Sequence, residues 1–473
     1  MRVHMGGTEG LMKTRILGLT LVLLGGLLRA QGPPGGASPF LGSVPQGKAT
    51  GEELPLTLSA AIESGLKYNL GTLLSSQGVR AARGAHVVAL SKLMPNLSAG
   101  ATESAQQINL AGFGFPGLPG IAPIIGPFGL SDARAYLSQP ILNLRSIRDN
   151  RAAGQEEKAS SYSNLDARDT VVLVVTALYL QAVTGASRVD AAQAQATTAE
   201  AVYNQALDFK QAGVVPAIDV LRAQVELRAR QQRLIFSRNE LEKQKLSLAR
   251  AIGLPDGQRI RLTDNVPFLA APPLTVEEAI ARAYGSRMDY QSASALLHAA
   301  ELKRNAAQAG RLPSLAFDGN YGTLGPSLAN SHGTFTAAVS LNIPLFQGGR
   351  VGGDVLQADA ALEQQRARLE DLRGAIAYQV RTAFLDMTAA GDEVGVARGA
   401  VDLAQQQLTQ ARDRFAAGVT SNLEAIQAQE AVATANENYI SSLYAYNAAK
   451  ASLARAIGGA ERLIPAFLQG DSK

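Results

Sequence analysis

Residues 415–425 read FAAGVTSNLEA, and residues 211–220 read QAGVVPAIDV. Each interrupts a long stretch rich in Ala, Gln, Leu and Arg, and their Ala-Gly-Val triplets, 212–214 and 417–419, lie 205 residues apart. The same shift carries Ala223-Gln224 onto Ala428-Gln429. It also carries Ser247–Gly253 onto Ser452–Gly458, both SLARAIG, without a gap. A second register, of 218, lays Leu56-Thr57 on Leu274-Thr275, Ala61-Ile62 on Ala279-Ile280 and Pro95 on Pro313. The chain is a duplication. The two registers differ because the first copy carries surplus residues, which fall in the Gly- and Pro-rich Leu110–Leu130.

Each copy reads helix, strand, loop, strand, long helix, break, long helix. The strands follow from alternation. In the second copy Phe335, Ala337, Val339, Leu341 and Ile343 share one face, and Thr334, Thr336, Ala338, Ser340 and Asn342 share the other. Leu315, Phe317 and Tyr321 likewise oppose Asp318 and Asn320, and weaker alternation runs through Leu97, Ala99 and Ala101 and through Ala133, Ala135 and Leu137. The spacing predicts strands at about 95–108, 130–142, 314–323 and 333–345. The helices show sevenfold spacing: Val220, Leu227, Leu234, Leu241 and Leu248, and again Val355, Leu362, Leu369, Ile376 and Ala383. This is coiled-coil-like packing. Residues 146–210 and 350–414 hold no proline, so each can form a helix roughly 100 Å long at 1.5 Å per residue.

Composition excludes several functions. With 44 basic and 40 acidic residues the net charge is only +4, too even for a dedicated nucleic-acid binder. No cysteine is present, so disulfides, thiolate metal sites, a cysteine nucleophile and N-terminal lipidation through Cys are all excluded. Lys13 and Arg15 precede an apolar run from Ile16 to Leu28 and a plausible cleavage point at Ala30. Residues 1–30 thus read as an export signal; the run is shorter than the ~20 residues of a membrane-spanning helix, and no spanning helix is expected further on. The segmentation expected is signal peptide 1–30, extended leader 31–53, first repeat 54–254, connector 255–273, second repeat 274–460 and C-terminal tail 461–473.

The strands have one apolar and one polar face. In a membrane barrel the apolar face meets lipid and the polar face lines the lumen. An open four-stranded sheet in lipid would leave unpaired backbone groups at both edges, each costing several kcal/mol. Single-chain barrels take at least about eight strands, so four strands per chain require two or more chains: eight strands in a dimer or twelve in a trimer.

An export signal, two tandem helix–strand–strand–helix-pair repeats and LNIPLFQGG at 341–349 together resemble the TolC-like outer-membrane efflux protein family over about residues 54–460. SQPILNLRS at 138–146 is similar to the first-repeat counterpart, without the Gly-Gly. The resemblance implies a mainly α protein with a small β part. Long coiled-coil hairpins would form a periplasmic tunnel, and four strands per chain would enter a homotrimeric, 12-stranded barrel in outer-membrane lipid. It implies passive conduction of drugs, metals or secreted proteins. A periplasmic adaptor (membrane fusion) protein would hand these over from an inner-membrane transporter of RND or ABC type. The tip turns of such proteins carry Gly followed by a small apolar residue, matched here by Gly213-Val214 and Gly418-Val419, which become the expected adaptor-docking residues. Acids shortly after the glycine, Asp219 and Glu424, become the expected aperture residues. The family's gating ties use an aromatic hydroxyl before the glycine and an arginine after it; Phe415 and Thr420 stand there instead.

Other motifs lead nowhere. Gly112-x-Gly-x-x-Gly117 is interrupted by Pro116 and lacks the strand and helix of a dinucleotide fingerprint. His4, His86, His298 and His332 show no ligand spacing. No nucleophile elbow or phosphate loop occurs, so neither catalytic residues, cofactors nor metals are expected. The alternative reading is a periplasmic coiled-coil scaffold or adaptor whose strands form a soluble domain.

Overall fold

The alternating segments form a single four-stranded sheet in the computed structural model. The structure describes residues 38–114, 120, 122–264, 268–270, 273–417, 419–420 and 422–469. The expected signal at 1–30 and Gly418 lie outside the described residues. Strands β2 (Asn96–Asn109), β3 (Ile124–Leu142), β5 (Ser314–Gly325) and β6 (His332–Asn342) follow a three-residue β1 (Leu54–Leu56) and straddle an equally short β4 (Ile260–Leu262). The large sheet runs β2-β3-β5-β6, antiparallel throughout.

Its register aligns the two faces in rows. Ala99 pairs with Ala135, Ala135 with Tyr321 and Tyr321 with Phe335; Leu97 pairs with Leu137, Leu137 with Gly319 and Gly319 with Ala337. Directly paired residues of an antiparallel ladder share a face, so in these rows one side is apolar across all four strands. The other side holds Asp132, Arg134, Asp318, Asn320 and Thr336, with the Ser138 hydroxyl donating to Asp318 Oδ1 at 2.8 Å. β3 begins six residues earlier than the alternation suggests, because β2 continues to pair with it as far as Asn109↔Ile124. β6 ends at Asn342 rather than 345: Pro344 has no N–H to continue a ladder, and Leu345 beyond it is 93 % exposed.

The helices repeat with the sequence registers. Helix α1 (Leu58–Tyr68) matches α5 (Val276–Ser286), and α2 (Leu70–Ser91) matches α6 (Met288–Ala309), residue for residue at 218. The very long α3 (Leu144–Gln211) and α7 (Arg350–Ala416) each turn back into a shorter partner, α4 (Ala217–Ile252) and α8 (Asn422–Ile457), which match at 205. Each copy's first helix is broken in two by a residue with extended backbone, Asn69 (φ −64°, ψ 136°) or Arg287 (φ −73°, ψ 127°).

The core lies where the return helices end. Leu58, Val171, Val172, Val175, Tyr179, Leu248, Ile252, Ile376, Leu453 and Ile457 are buried there, and the Tyr179 hydroxyl donates to the Leu56 carbonyl at 3.0 Å. β1 and β4 pair in parallel beside it. By length and composition α3 is apolar enough to cross a membrane. Its most apolar residues, Val171 to Leu180, instead fill this core. Residues 461–473, expected as a tail, begin as helix α9 (Ala460–Gln469). Ile464 and Leu468, four apart and therefore on one face, are buried in the same core, and Asp169 accepts from the Gly459 and Glu461 amides at the start of α9. The connector docks through Leu269, whose carbonyl accepts from Tyr446 Oη at 2.8 Å and Lys450 Nζ at 3.2 Å.

Candidate functional site

The far ends of the two hairpins, away from the sheet, form the candidate site. In the first, Val214 N–H donates to the Phe209 carbonyl at 2.9 Å and Gly213 N–H to Lys210 at 3.1 Å, with Gly213 at φ +74°. This closes the helix with a left-handed residue, as glycine alone does without strain. Pro216 is the N-cap residue of α4. In the second hairpin Val419 N–H donates to the Arg414 carbonyl at 3.0 Å, the same bond 205 residues on; Gly418 itself is outside the described residues. Val214 and Val419 are 61 % and 70 % exposed, so each tip presents a bare apolar side chain.

The two acids behave differently. Asp219, in the first turn of α4, keeps only 7 % of its side-chain surface exposed and meets Arg222 Nη1 at 3.3 Å. Glu424, in the first turn of α8, is 37 % exposed in its side chain and accepts from Arg414 Nη1 at 3.0 Å. That ion pair runs across the hairpin, from the last turn of one helix to the first turn of the next. Phe415, at the place of the family's aromatic hydroxyl, is buried, and its ring centroid lies 5.6 Å from that of Phe209. The two tips of one chain therefore touch through aromatic rings.

Arg414 and Phe209 were not singled out by sequence. They occupy the same place in the 205 register but differ in kind, so repeat symmetry hides their roles; only their positions just before the Ala-Gly-Val breaks point to them.

Farther from the tips, charged side chains tie the hairpins together. Arg188 Nε donates to Glu437 Oε1 at 2.9 Å. Arg230 Nε donates to Glu226 Oε1 at 2.6 Å, and its Nη2 pairs with Glu430. Burial works against the Arg230 charge, but the hydrogen bonds and charges of Glu226 and Glu430 outweigh it and hold the guanidinium above its ordinary range. Among the described residues no group of three or more His, Asp or Glu side chains could hold a metal.

Comparison with known proteins gives one answer. The family model for "outer membrane efflux protein" matches residues 75–254 and 279–459, the two copies in turn. The toluene efflux pump outer membrane protein TtgC of Pseudomonas putida is 24 % identical over 55 % of this chain and 55 % of its own length. The alkaline protease secretion protein AprF of Pseudomonas aeruginosa is 24 % identical over 50 % of each chain. The aligned part thus spans about half the length of these relatives. Among solved structures, the Campylobacter jejuni CmeC outer membrane channel superposes with a TM-score of 0.76 at 17 % identity, over 93 % of this chain and 94 % of that one. The fold is that of these channels, and with both copies matched the chain belongs to the outer membrane efflux protein family.

Proposed function

We propose that the protein is the outer-membrane exit duct of a tripartite efflux or type I secretion system. It would conduct cargo passively from an inner-membrane transporter and its periplasmic adaptor to the cell exterior. The observation that carries this is the sheet: one face apolar in all four strands, with both edges, β2 and β6, unpaired within the chain. In lipid such a sheet must close on copies of itself.

The repeat supports three copies. Within one chain α3 packs against α8. Shifting by one copy makes α7 of one chain meet α4 of the next, and those two helices carry Leu385, Val396 and Leu403, and Val225, Ile235 and Phe236, as large exposed apolar residues. A ring that alternates the two copies buries all of them; closed by rotation, three chains give twelve strands and six hairpin tips. Gly213-Val214 and Gly418-Val419 would dock the adaptor. Glu424 and Asp219 would set the charge of the periplasmic aperture, Glu424 more strongly because its carboxylate is the more exposed. A soluble scaffold would have to cover the apolar sheet face, where Leu97, Tyr321, Phe335, Val339 and Leu341 are exposed.

The test is fractionation and conductance. The protein should sit in the outer membrane as a heat-modifiable trimer and form pores in planar bilayers. A soluble periplasmic monomer would refute the reading. Relatives whose names carry toluene efflux and protease secretion leave the cargo to transport assays beside the neighbouring pump.

A further inference from the structure

A cavity of about 240 Å³ lies between the hairpins, behind the tips, lined by α3, α4, α7 and α8. Its polar lining is unusual. Two arginines, Arg230 and Arg412, border it together with Gln195 and Gln429, and among the described residues no Asp or Glu does. The neighbouring cavity, lined by Arg188, Arg230 and Arg233, is balanced by Glu430 and Glu437. Nε of Arg412 and Nε2 of Gln429 are both buried and meet no acceptor among the described residues, and Gln429 as a whole is 6 % exposed. A buried donor without an acceptor costs about 1–3 kcal/mol, more when charged. Arg230 is already engaged: its Nε and Nη2 hold the Glu226 and Glu430 carboxylates, and its Nη1 donates to Gln195 Oε1 at 3.4 Å.

Repeat geometry does not account for this set. The positions 205 residues from Arg412, Gln429 and Arg230 are Leu207, Gln224 and Ala435, and Gln195 maps to Ala400. Both arginines belong to the contact within a chain and are absent from its counterpart between chains.

We propose that this cavity is a binding site for one small oxygen-bearing anion per chain, a carboxylate or a tetrahedral oxyanion, held by Arg412 and Gln429. A guanidinium and an amide N–H₂ lining one cavity can serve two oxygens of one anion. This inference does not rest on the conduction reading, since it concerns binding by the purified protein.

The experiment uses the full mature protein in detergent. Crystals soaked in selenate should show one anomalous peak per chain between Arg412 and Gln429. Isothermal titration with sulfate, phosphate and acetate at constant ionic strength ranks the oxyanions against the carboxylate. The variants Arg412→Gln and Gln429→Leu should each weaken the best of these at least tenfold, Arg412→Lys should weaken it less, and Arg233→Gln, outside the cavity, should leave it unchanged. Heat-modifiability verifies that each variant assembles. No selenate peak at this position in the wild type, no saturable binding of any of the three anions, or wild-type affinity in an assembled Arg412→Gln protein would each overturn the proposal.

Discussion

The rings of Phe209 and Phe415 stack at 5.6 Å, tilted by 52°, and join the two hairpin tips of a chain. Aromatic pairs of this kind contribute about 0.5–1.5 kcal/mol beyond their buried area. Phe209→Ala and Phe415→Ala should therefore each lower the thermal unfolding temperature, and the double variant should lose less than the sum of the two by about that amount. Circular dichroism at 222 nm on all four proteins measures the coupling; strict additivity would mean the rings do not cooperate.

The Arg414–Glu424 pair sets opposite expectations for its two members. Glu424→Gln should reduce the cation preference of the pore. Arg414→Gln removes the neutralising partner and should increase it. Stability should change by less than about 1 kcal/mol in either case, as for other exposed pairs. Reversal potentials in a salt gradient read the sign, and a shift in the same direction for both variants would argue against an aperture charge at Glu424.

Gly213 sits at φ +74° with open space where a Cβ would be. Gly213→Ala should therefore act through backbone strain alone, costing about 1–2 kcal/mol locally. The expected result is weaker cross-linking to the adaptor and lower export from a trimer that still assembles. Undiminished export would detach the tip from docking.

Burial pushes Lys450 down to about 8, below the usual 10.5. The unfolded chain then binds more protons than the native one between those values, so stability rises with pH across that window; below it both states carry the proton and the cost is constant. The slope should reach at most about 1.4 kcal/mol per pH unit. Unfolding of the wild type followed from pH 7.5 to 9, where few unfolded tyrosines are ionised, should show the rise. Lys450→Met should be flat and more stable at pH 7.5; a slope surviving in the variant would assign it elsewhere.

Asn69 and Arg287 break equivalent helices and reach equivalent carbonyls: Asn69 Nδ2 donates to Ala251 at 2.9 Å, and Arg287 Nη1 to Ala456 at 3.4 Å. Arg287 also forks onto Asp289, at 3.0 and 2.6 Å. Asn69→Ala should cost about 1–3 kcal/mol for unpaired buried carbonyls. Arg287→Ala should cost more, about 3–5 kcal/mol, because it strands a carboxylate. Urea titration of the two variants gives the order, and an equal loss would show that Asp289 is adequately solvated without its partner.

Much of this architecture was legible in the sequence. Repeat registers, strand alternation and sevenfold spacing are local patterns, and the helices, the large sheet and both turns follow them. The missed features arise from contacts between distant segments. β1 and β4 are three residues each and exist only as partners, 54–56 against 260–262. Helix α9 looked like a tail because its amphipathic face is short and Pro465 sits within it. At the tips the glycine turn was readable, whereas the burial of Asp219, the Arg414–Glu424 tie and the Phe209–Phe415 contact depend on how two hairpins meet.

β3 pairs with β5 only from Ser131 onward, and its first residues, 124–130, pair with β2 alone. Each chain thus raises one two-stranded ribbon, from its first copy, above the level reached by β5 and β6. In the proposed barrel that ribbon is what a bacteriophage or an antibody meets on an intact cell. The two halves of an ancestral duplication would then answer to different selective pressures: the first to whatever recognises the cell from outside, the second to the channel wall alone. Sequence drift among close relatives should concentrate in the first ribbon and spare its counterpart.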